Sequence, residues 1–452
     1  MNLLTASLLD PTLFVMGIAM FAVLFVPFSP MTIDLLTLPR HYQIGIYRRR
    51  HVFWAIGIAC FALLLARAAA AQLPALGWVG SVVGFAHPGW FVVTVITIAV
   101  LAVAFWSGYV PYVMTPPRNP KVLTAAEGDE FLKPDDVVLG FEYRGQARAY
   151  PRDAISRPHF YVDDVADTRF VVSYCILCNS AMAFRSELGG RPLDLMSVTA
   201  FNNNIVYYDP VSGNFIQQLE GRVIDGPDAG TELELFPVTI TSWGEWRRLF
   251  PETTLYYAPD QTLRDRIVSK MLQVMIPIHR LARRSKPWHR IRGSLDPRLP
   301  AMSFVYGVRV HGEACAYPES ALRRSGVIND TVGGEPIVVF FDDSKSVGQV
   351  FSRCLSGRAL HFVPEAGSEG SWAARDRETS SRWSVTGEAI AGPLQGNQLT
   401  PVPHVNRLFW FSWALFNPYS HIVEGDQDSP GQQGGERCQS SRRQAAVKEG
   451  HR

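Results

Sequence analysis

The chain has 452 residues and a formal net charge of only +2. This near balance excludes a protein whose whole surface attracts nucleic acid or another polyanion. Most of the cysteines are far apart in the sequence, which excludes the disulfide framework of a small secreted protein. The six cysteines are Cys60, Cys175, Cys178, Cys315, Cys354 and Cys438.

The first 110 residues are strongly apolar and predict a membrane domain. Apolar runs cover residues 13–28, 52–71 and 89–106, and a helix needs about 20 such residues to cross a bilayer. The sequence therefore predicts an N-terminal α-helical segment of about three spans over residues 1–110, in contact with the lipid bilayer. The alternative is a set of buried helices in a soluble core.

Basic residues predict which side of the membrane the later region occupies. The loop between the first two apolar runs carries Arg40 and a cluster over residues 48–50, whereas residues 72–88 carry no Lys or Arg. The positive-inside rule then places the first loop in the cytoplasm. With three spans, or with two, the soluble region is expected to follow on the cytoplasmic side, after a Pro-rich linker over residues 111–121.

Residues 122–260 and 299–423 are two copies of one pattern. Residues 148–151 match 315–318, and the alignment continues almost without gaps. Both copies contain short strands between turn residues and begin with a hairpin. The sequence predicts a mainly β soluble region built from two tandem similar modules.

A basic insert over residues 261–298 separates the two repeats, and its apolar residues fall at roughly helical spacing. It is expected either to lie on anionic lipid headgroups or to pack as a solvated helix on the repeats. No nucleic-acid partner is expected, since the insert lacks interleaved aromatic residues. The polar tail over residues 424–452 has too few apolar residues to fold and predicts disorder.

Only the first repeat contains a Cys-x-x-Cys pair. Cys175 and Cys178 correspond to Asp342 and Lys345 in the second repeat. Because the second copy is built without the pair, function explains its presence better than folding does. The second copy predicts a strand, a polar turn and a returning strand, which favours a hairpin tip for the cysteines. One or two helical turns over residues 179–186 are the alternative.

Two cysteines at this spacing have three possible roles. They can bind a transition metal, zinc or copper, with His159 as a third ligand. They can act as a catalytic redox dithiol, Cys175 with Cys178, with His159 as proton acceptor. In the third role they are buried structural residues, and the protein is a non-catalytic scaffold that binds a ligand or partner.

Four other polar residues of the first repeat are candidates for lining the same pocket. These are Asn202, Asn204, Tyr208 and Asp209. The alternative is that they stabilise turns and strand ends. No Ser-His-Asp order, phosphate-binding loop or His-Glu-x-x-His motif is present, so hydrolase and nucleotide-dependent activities are not predicted.

Three ungapped motifs carry a resemblance to a known family. They cover residues 174–180, 328–339 and 382–394, and they are similar to the DUF3179 family, a prokaryotic family of unknown function. The resemblance extends over about residues 120–423 and implies no established activity. With the predicted spans, it implies a location in the prokaryotic inner membrane. It places the family's characteristic residues at His159, Cys175, Cys178, Asn202, Asn204, Tyr208 and Asp209. Ile176 departs from the family pattern, which has proline there.

Overall fold

The structure is a computed structural model, and it describes only part of the chain. The described residues are 39–53, 55, 56, 59, 114–117, 119–259, 263, 266, 267, 270, 283–287, 290–365 and 373–424. Most of the predicted membrane spans, most of the basic insert and nearly all of the polar tail lie outside these residues.

The first repeat consists of short strands with three helices of one or two turns. The helices are α2 (Ala125–Gly128), α3 (Arg152–Ile155) and α4 (Trp243–Leu249). The strands are β1 (Lys121–Thr124), β2 (Val137–Tyr143), β3 (Gln146–Pro151), β4 (Phe160–Val165), β5 (Thr168–Cys175), β6 (Ser180–Arg185), β7 (Glu187–Leu188), β8 (Arg191–Pro192), β9 (Met196–Phe201), β10 (Asn204–Tyr208), β11 (Phe215–Gln217), β12 (Arg222–Asp225), β13 (Leu235–Pro237), β14 (Thr239–Ser242) and β15 (Thr254–Tyr257).

The second repeat has the same succession of elements. Its helices are α5 (Glu319–Ser325) and α6 (Trp410–Phe416). Its strands are β16 (Phe304–Val310), β17 (Glu313–Pro318), β18 (Val327–Val332), β19 (Glu335–Asp342), β20 (Val347–Ser352), β21 (Cys354–Leu355), β22 (Arg358–Ala359), β23 (Phe362–Glu365), β24 (Ala373–Asp376), β25 (Arg382–Trp383), β26 (Ala389–Ala391), β27 (His404–Phe409) and β28 (His421–Ile422).

Most strands of the two repeats correspond. The order β15-β3-β2-β14 is matched by β28-β17-β16-β27, and β6-β5-β4 is matched by β20-β19-β18, whereas β1 and β13 of the first repeat have no counterpart among the described strands. The third sheet is β12-β11-β10-β9 in the first repeat and, in the corresponding order, β26-β25-β24-β23 in the second. The mainly β part of the fold prediction is therefore confirmed.

The membrane part of the fold prediction is contradicted. No helix among the described residues is long and apolar enough to cross a membrane. Helix α1 (Arg40–Arg48), from the N-terminal region, has nine residues. At about 1.5 Å per residue it is far shorter than the roughly 30 Å hydrocarbon core. The runs over residues 13–28 and 89–106 lie outside the described residues, and the structure does not support an N-terminal segment of three spans.

Helix α1 buries its apolar face against protein. Ile44 and Tyr47 pack in a cluster with Val206 and Phe215 of the first repeat. The Tyr47 ring makes edge contacts with Tyr208 and Phe215, at centroid distances of 5.2 and 5.8 Å. The segment predicted as a basic loop between the first two spans thus contains a short helix whose apolar residues are buried against a sheet.

The two repeats exchange contacts across a shared interface. Strand β6 of the first repeat packs against β27 of the second, and β20 of the second packs against β14 of the first. Each repeat therefore places its β5–β6 or β19–β20 hairpin against the strand–helix corner of the other. The dithiol lies at one of these two contacts.

Candidate functional site: a dithiol buried between the repeats

The two cysteines lie at the tip of a β-hairpin. Cys175 ends β5 and pairs with Ser180, the first residue of β6. Asn179 completes the turn with a left-handed φ of 55°, a conformation that asparagine tolerates better than most residues. This confirms the hairpin geometry inferred from the second repeat. The helical alternative over residues 179–186 is wrong, because Ser180–Arg185 forms a strand.

The turn is buried and is held by both repeats. Cys175 is 2% exposed and Cys178 is 0% exposed. The Phe409 N–H donates to the Cys178 carbonyl at 3.0 Å. The Asn179 side-chain amide donates to the Arg407 carbonyl at 2.6 Å. Two hydrogen bonds between the turn and the corner before α6 thus fix the position of the dithiol.

Polar groups of the first repeat converge on the Cys178 sulfur. Asn204 Nδ2 donates to Cys178 Sγ at 3.2 Å, and Ser180 Oγ lies 3.1 Å from the same sulfur. The Asn204 amide is oriented by its oxygen, which accepts from Leu219 N at 3.1 Å and from Gln217 Nε2 at 2.6 Å. Because a backbone N–H can only donate, the Asn204 oxygen must face Leu219 and its NH₂ must face the sulfur.

This arrangement makes the two thiols unequal. Burial acts to raise the pKa of Cys178, but interactions with polar side chains around the sulfur, Asn204 among them, lower that pKa to about 7. Burial and the hydrogen bond to Cys178 raise the pKa of Cys175 well above its ordinary value. The Cys175 thiol also donates to the Asn203 carbonyl at 3.4 Å. The directions of these two pKa shifts favour thiolate at Cys178 over thiolate at Cys175.

Two buried tyrosines adjoin the dithiol. The Tyr174 hydroxyl donates to Asn179 Oδ1 at 2.8 Å, and the Tyr207 hydroxyl lies 2.6 Å from Ser173 Oγ. Burial raises the pKa of both tyrosines. Both rings therefore stay protonated over the range in which Cys178 titrates.

His159 contacts Tyr174, the residue before Cys175, but this contact gives it a structural role. Its Nδ1 is 3.0 Å from the Tyr174 carbonyl, which requires the Nδ1–H tautomer. Burial lowers the pKa of this imidazole to about 4. Among the described residues, no group of three or more His, Cys, Asp and Glu side chains is placed to hold a metal ion. The structure thus does not bring His159 and the cysteines into one ligand group, and zinc or copper binding stays a prediction.

The candidate pocket residues separate into different environments. Asn204 alone contacts the dithiol. The Asn202 side chain accepts from Arg292 N at 3.4 Å, and the Tyr208 ring packs against α1. Asp209 accepts from Ser212 Oγ at 2.6 Å and from Val211 N at 3.1 Å, as a turn-forming residue does.

Sequence reasoning missed several residues of the site. Ser180 directly follows the Cys-x-x-Cys-Asn motif, and Gln217 and Gln218 are adjacent amides that are fully buried. Buried polar side chains in a strand are a usable signal, because they require hydrogen-bond partners. Ser412 lies in the second repeat, between aromatic residues of α6, and nothing in its position in the sequence relates it to the dithiol.

These features define a duplicated, mainly β protein with a buried, asymmetric dithiol in one copy. The model of the DUF3179 family, described as a protein of unknown function, matches residues 109–420. The chain therefore belongs to the DUF3179 family, and the resemblance seen in the sequence is confirmed. No curated protein and no solved structure matches the chain.

Proposed function

We propose that the protein is a thiol-based redox protein, with Cys178 as the nucleophile and Cys175 as the resolving thiol. The observation that supports this most directly is the hydrogen bond that Asn204 Nδ2 donates to Cys178 Sγ at 3.2 Å. The Ser180 hydroxyl lies 3.1 Å from the same sulfur but donates its proton to Gln218 Oε1 at 2.7 Å. Hydrogen bonds to a charged acceptor are roughly twice as strong as those to a neutral one. A preformed amide donor to a buried sulfur therefore favours thiolate.

The burial of both sulfurs favours a small oxidant, and a peroxide is the class we propose. The Cys178 thiolate attacks one peroxide oxygen, the O–O bond breaks, and hydroxide or alkoxide leaves as Cys178 becomes a sulfenic acid. Cys175 then loses its proton and its sulfur bonds to Cys178, while the sulfenic oxygen leaves as water. Two electrons pass from the dithiol to the peroxide, and a small thiol reductant regenerates the pair.

Peroxide treatment of the full chain tests this proposal. We expect loss of the Cys175 and Cys178 thiols and formation of one disulfide between them, seen by mass spectrometry after alkylation of the unfolded protein. Cys178→Ser should abolish the reaction, and Cys175→Ser should stop it at the sulfenic acid, which a dimedone-type reagent traps.

Cys315 provides the matched control. It is a buried free thiol in the second repeat, and burial raises its pKa to about 12. Cys315→Ser should leave the peroxide reaction unchanged. Equal oxidation of Cys315 and Cys178 would contradict the proposal. Stoichiometric zinc or copper that is lost in Cys178→Ser would instead indicate a metal site. If the protein neither reacts with peroxide nor binds metal, the scaffold interpretation remains.

The rate of peroxide reduction should follow the ionisation of Cys178. Its pKa is lowered to about 7, so the thiolate fraction should fall about tenfold per pH unit below that value. Stopped-flow rates measured from pH 5 to 9 should rise to a plateau with a midpoint near 7. A midpoint above about 8.5, the value of an ordinary thiol, would show that the donor set does not act on the sulfur.

A further inference from the structure

We infer that Ser412, supplied by the second repeat, is a positioning residue for the Cys178 thiolate. The inference rests on the proposed function and extends it, since the repeat without the dithiol then completes the site. Ser412 lies in α6, in the strand–helix corner that packs against the Cys178 turn. It does not react with substrate; it acts through the sulfur that does.

The other half of the molecule contains the same helix-to-hairpin contact with different chemistry. Trp246 of α4 covers Gly140, and Trp413 of α6 covers Gly307, at equivalent positions of the two repeats. Glu245 directly precedes Trp246 and Ser412 directly precedes Trp413, so these two residues occupy equivalent positions on the two helices. Lys345 is the counterpart of Cys178 at the hairpin tip.

Glu245 and Lys345 meet across the interface. Lys345 Nζ lies 3.8 Å from Glu245 Oε2, and the Glu245 carboxylate is nearly buried. The duplication therefore assigns the same facing relation to Ser412 and Cys178. An anion on the helix faces a cation on the hairpin in one half. In the other half the helix presents a hydroxyl donor to a sulfur that can hold negative charge.

The surroundings of Ser412 support this assignment independently. The residue is 0% exposed, and its hydroxyl has no partner at ordinary hydrogen-bond geometry among the described residues. Leaving a buried hydroxyl unpaired costs about 1–3 kcal/mol. That cost is offset if the hydroxyl turns to donate to the Cys178 sulfur, a hydrogen bond that would lower the pKa of this thiol.

Few groups near the sulfur could produce a pH effect of their own. Cys175, Tyr174 and Tyr207 are the titratable side chains of the first repeat that interact with the dithiol. The corner of the second repeat presents Ser412 between Phe411 and Trp413, neither of which titrates. Strand β27 of the same corner carries His404, whose Nδ1 contacts the Val402 carbonyl at 2.7 Å, and Arg407, which pairs with Glu319 at 2.9 Å. A change in the titration of Cys178 on removal of the Ser412 hydroxyl would therefore be a local effect.

The test is a pH titration of the thiolate absorbance in the full chain. Absorbance does not require a reagent to reach the buried sulfur. Ser412→Ala should raise the midpoint of the Cys178 titration by about one unit, as loss of one hydrogen bond to a charged group predicts. Ser412→Thr keeps the hydroxyl and should retain a midpoint near that of the natural protein.

Ser420→Ala is the matched control. Ser420 is 1% exposed, and its hydroxyl is also unpaired among the described residues, but it does not appear among the groups acting on Cys178. This substitution should leave the midpoint unchanged. An unchanged midpoint in folded Ser412→Ala would overturn the inference while leaving the proposed function intact. If the natural protein shows no titration near pH 7 that depends on Cys178, as judged by comparison with Cys178→Ser, the proposed function is overturned instead.

Discussion

Lowering the pH from 6.5 to 4 is expected to reduce the free energy of unfolding by about 3 kcal/mol for each of two buried histidines. Burial lowers the pKa of both His159 and His404 from 6.5 to about 4. In the unfolded chain both imidazoles bind a proton near pH 6.5. In the folded state both imidazoles stay neutral until the pH falls to about 4. Stability is therefore complete above 6.5, falls as the pH drops through this window, and levels off below 4.

Each of these imidazoles is fixed by a backbone carbonyl. His404 Nδ1 lies 2.7 Å from the Val402 carbonyl, and His159 Nδ1 lies 3.0 Å from that of Tyr174. A neutral ring satisfies this contact with its Nδ1–H. A charged ring would add a buried, unpaired positive charge, which is why acid should unfold the protein.

Urea denaturation at several pH values measures this effect. His159→Asn is a suitable variant, because asparagine tolerates the left-handed φ of 79° and can place an amide N–H near the Nδ1 position. The variant should lose about half of the acid-induced drop. His311→Asn is the matched control, since His311 also has a positive φ and an Nδ1 contact to a carbonyl but is exposed. A drop that is the same in both variants would contradict the assignment to His159.

The sequence predicted the local features of the site better than its tertiary contacts. The hairpin tip at Cys175 and Cys178 could be inferred, because the second repeat shows a strand, a polar turn and a strand at the same place. Asn204 was one of four candidate pocket residues, and its amide contacts Cys178 Sγ in the structure. Tyr208 and Asp209 belong to the same motif, but one packs against α1 and the other closes a turn.

The errors have physical reasons. Residues 40–50 were predicted as a basic loop between two spans, and nothing in that loop indicated that Ile44 and Tyr47 pack on the first repeat. The contribution of Ser412 depends on how two similar modules pack together. Pattern reasoning within one module gives no information on that packing, whereas the pairing of Glu245 with Lys345 does.

Substituting alanine for Gly140 or Gly307 is expected to destabilise the fold by about 3 kcal/mol or more, the upper part of the range for overpacked cores. A Cβ at Gly140 would lie 2.2 Å from Trp246 Cε3, and one at Gly307 would lie 2.3 Å from Trp413 Cε3. Both indole rings are almost fully buried. Neither can move aside without shifting its helix. Gly45→Ala in α1, where a Cβ meets nothing within 4 Å, should not destabilise the protein.

The two glycine variants should differ in their effect on the dithiol, although their cost to stability is similar. Gly307→Ala displaces Trp413, the neighbour of Ser412, and should raise the midpoint of the Cys178 thiolate titration. Gly140→Ala displaces Trp246 beside Glu245, at the contact without a thiol, and should leave that midpoint unchanged. Equal midpoint shifts in the two variants would mean that general loosening of the fold, rather than the Ser412 corner, controls the thiolate. A shift confined to Gly307→Ala would link the packing of the second repeat to the chemistry of the first.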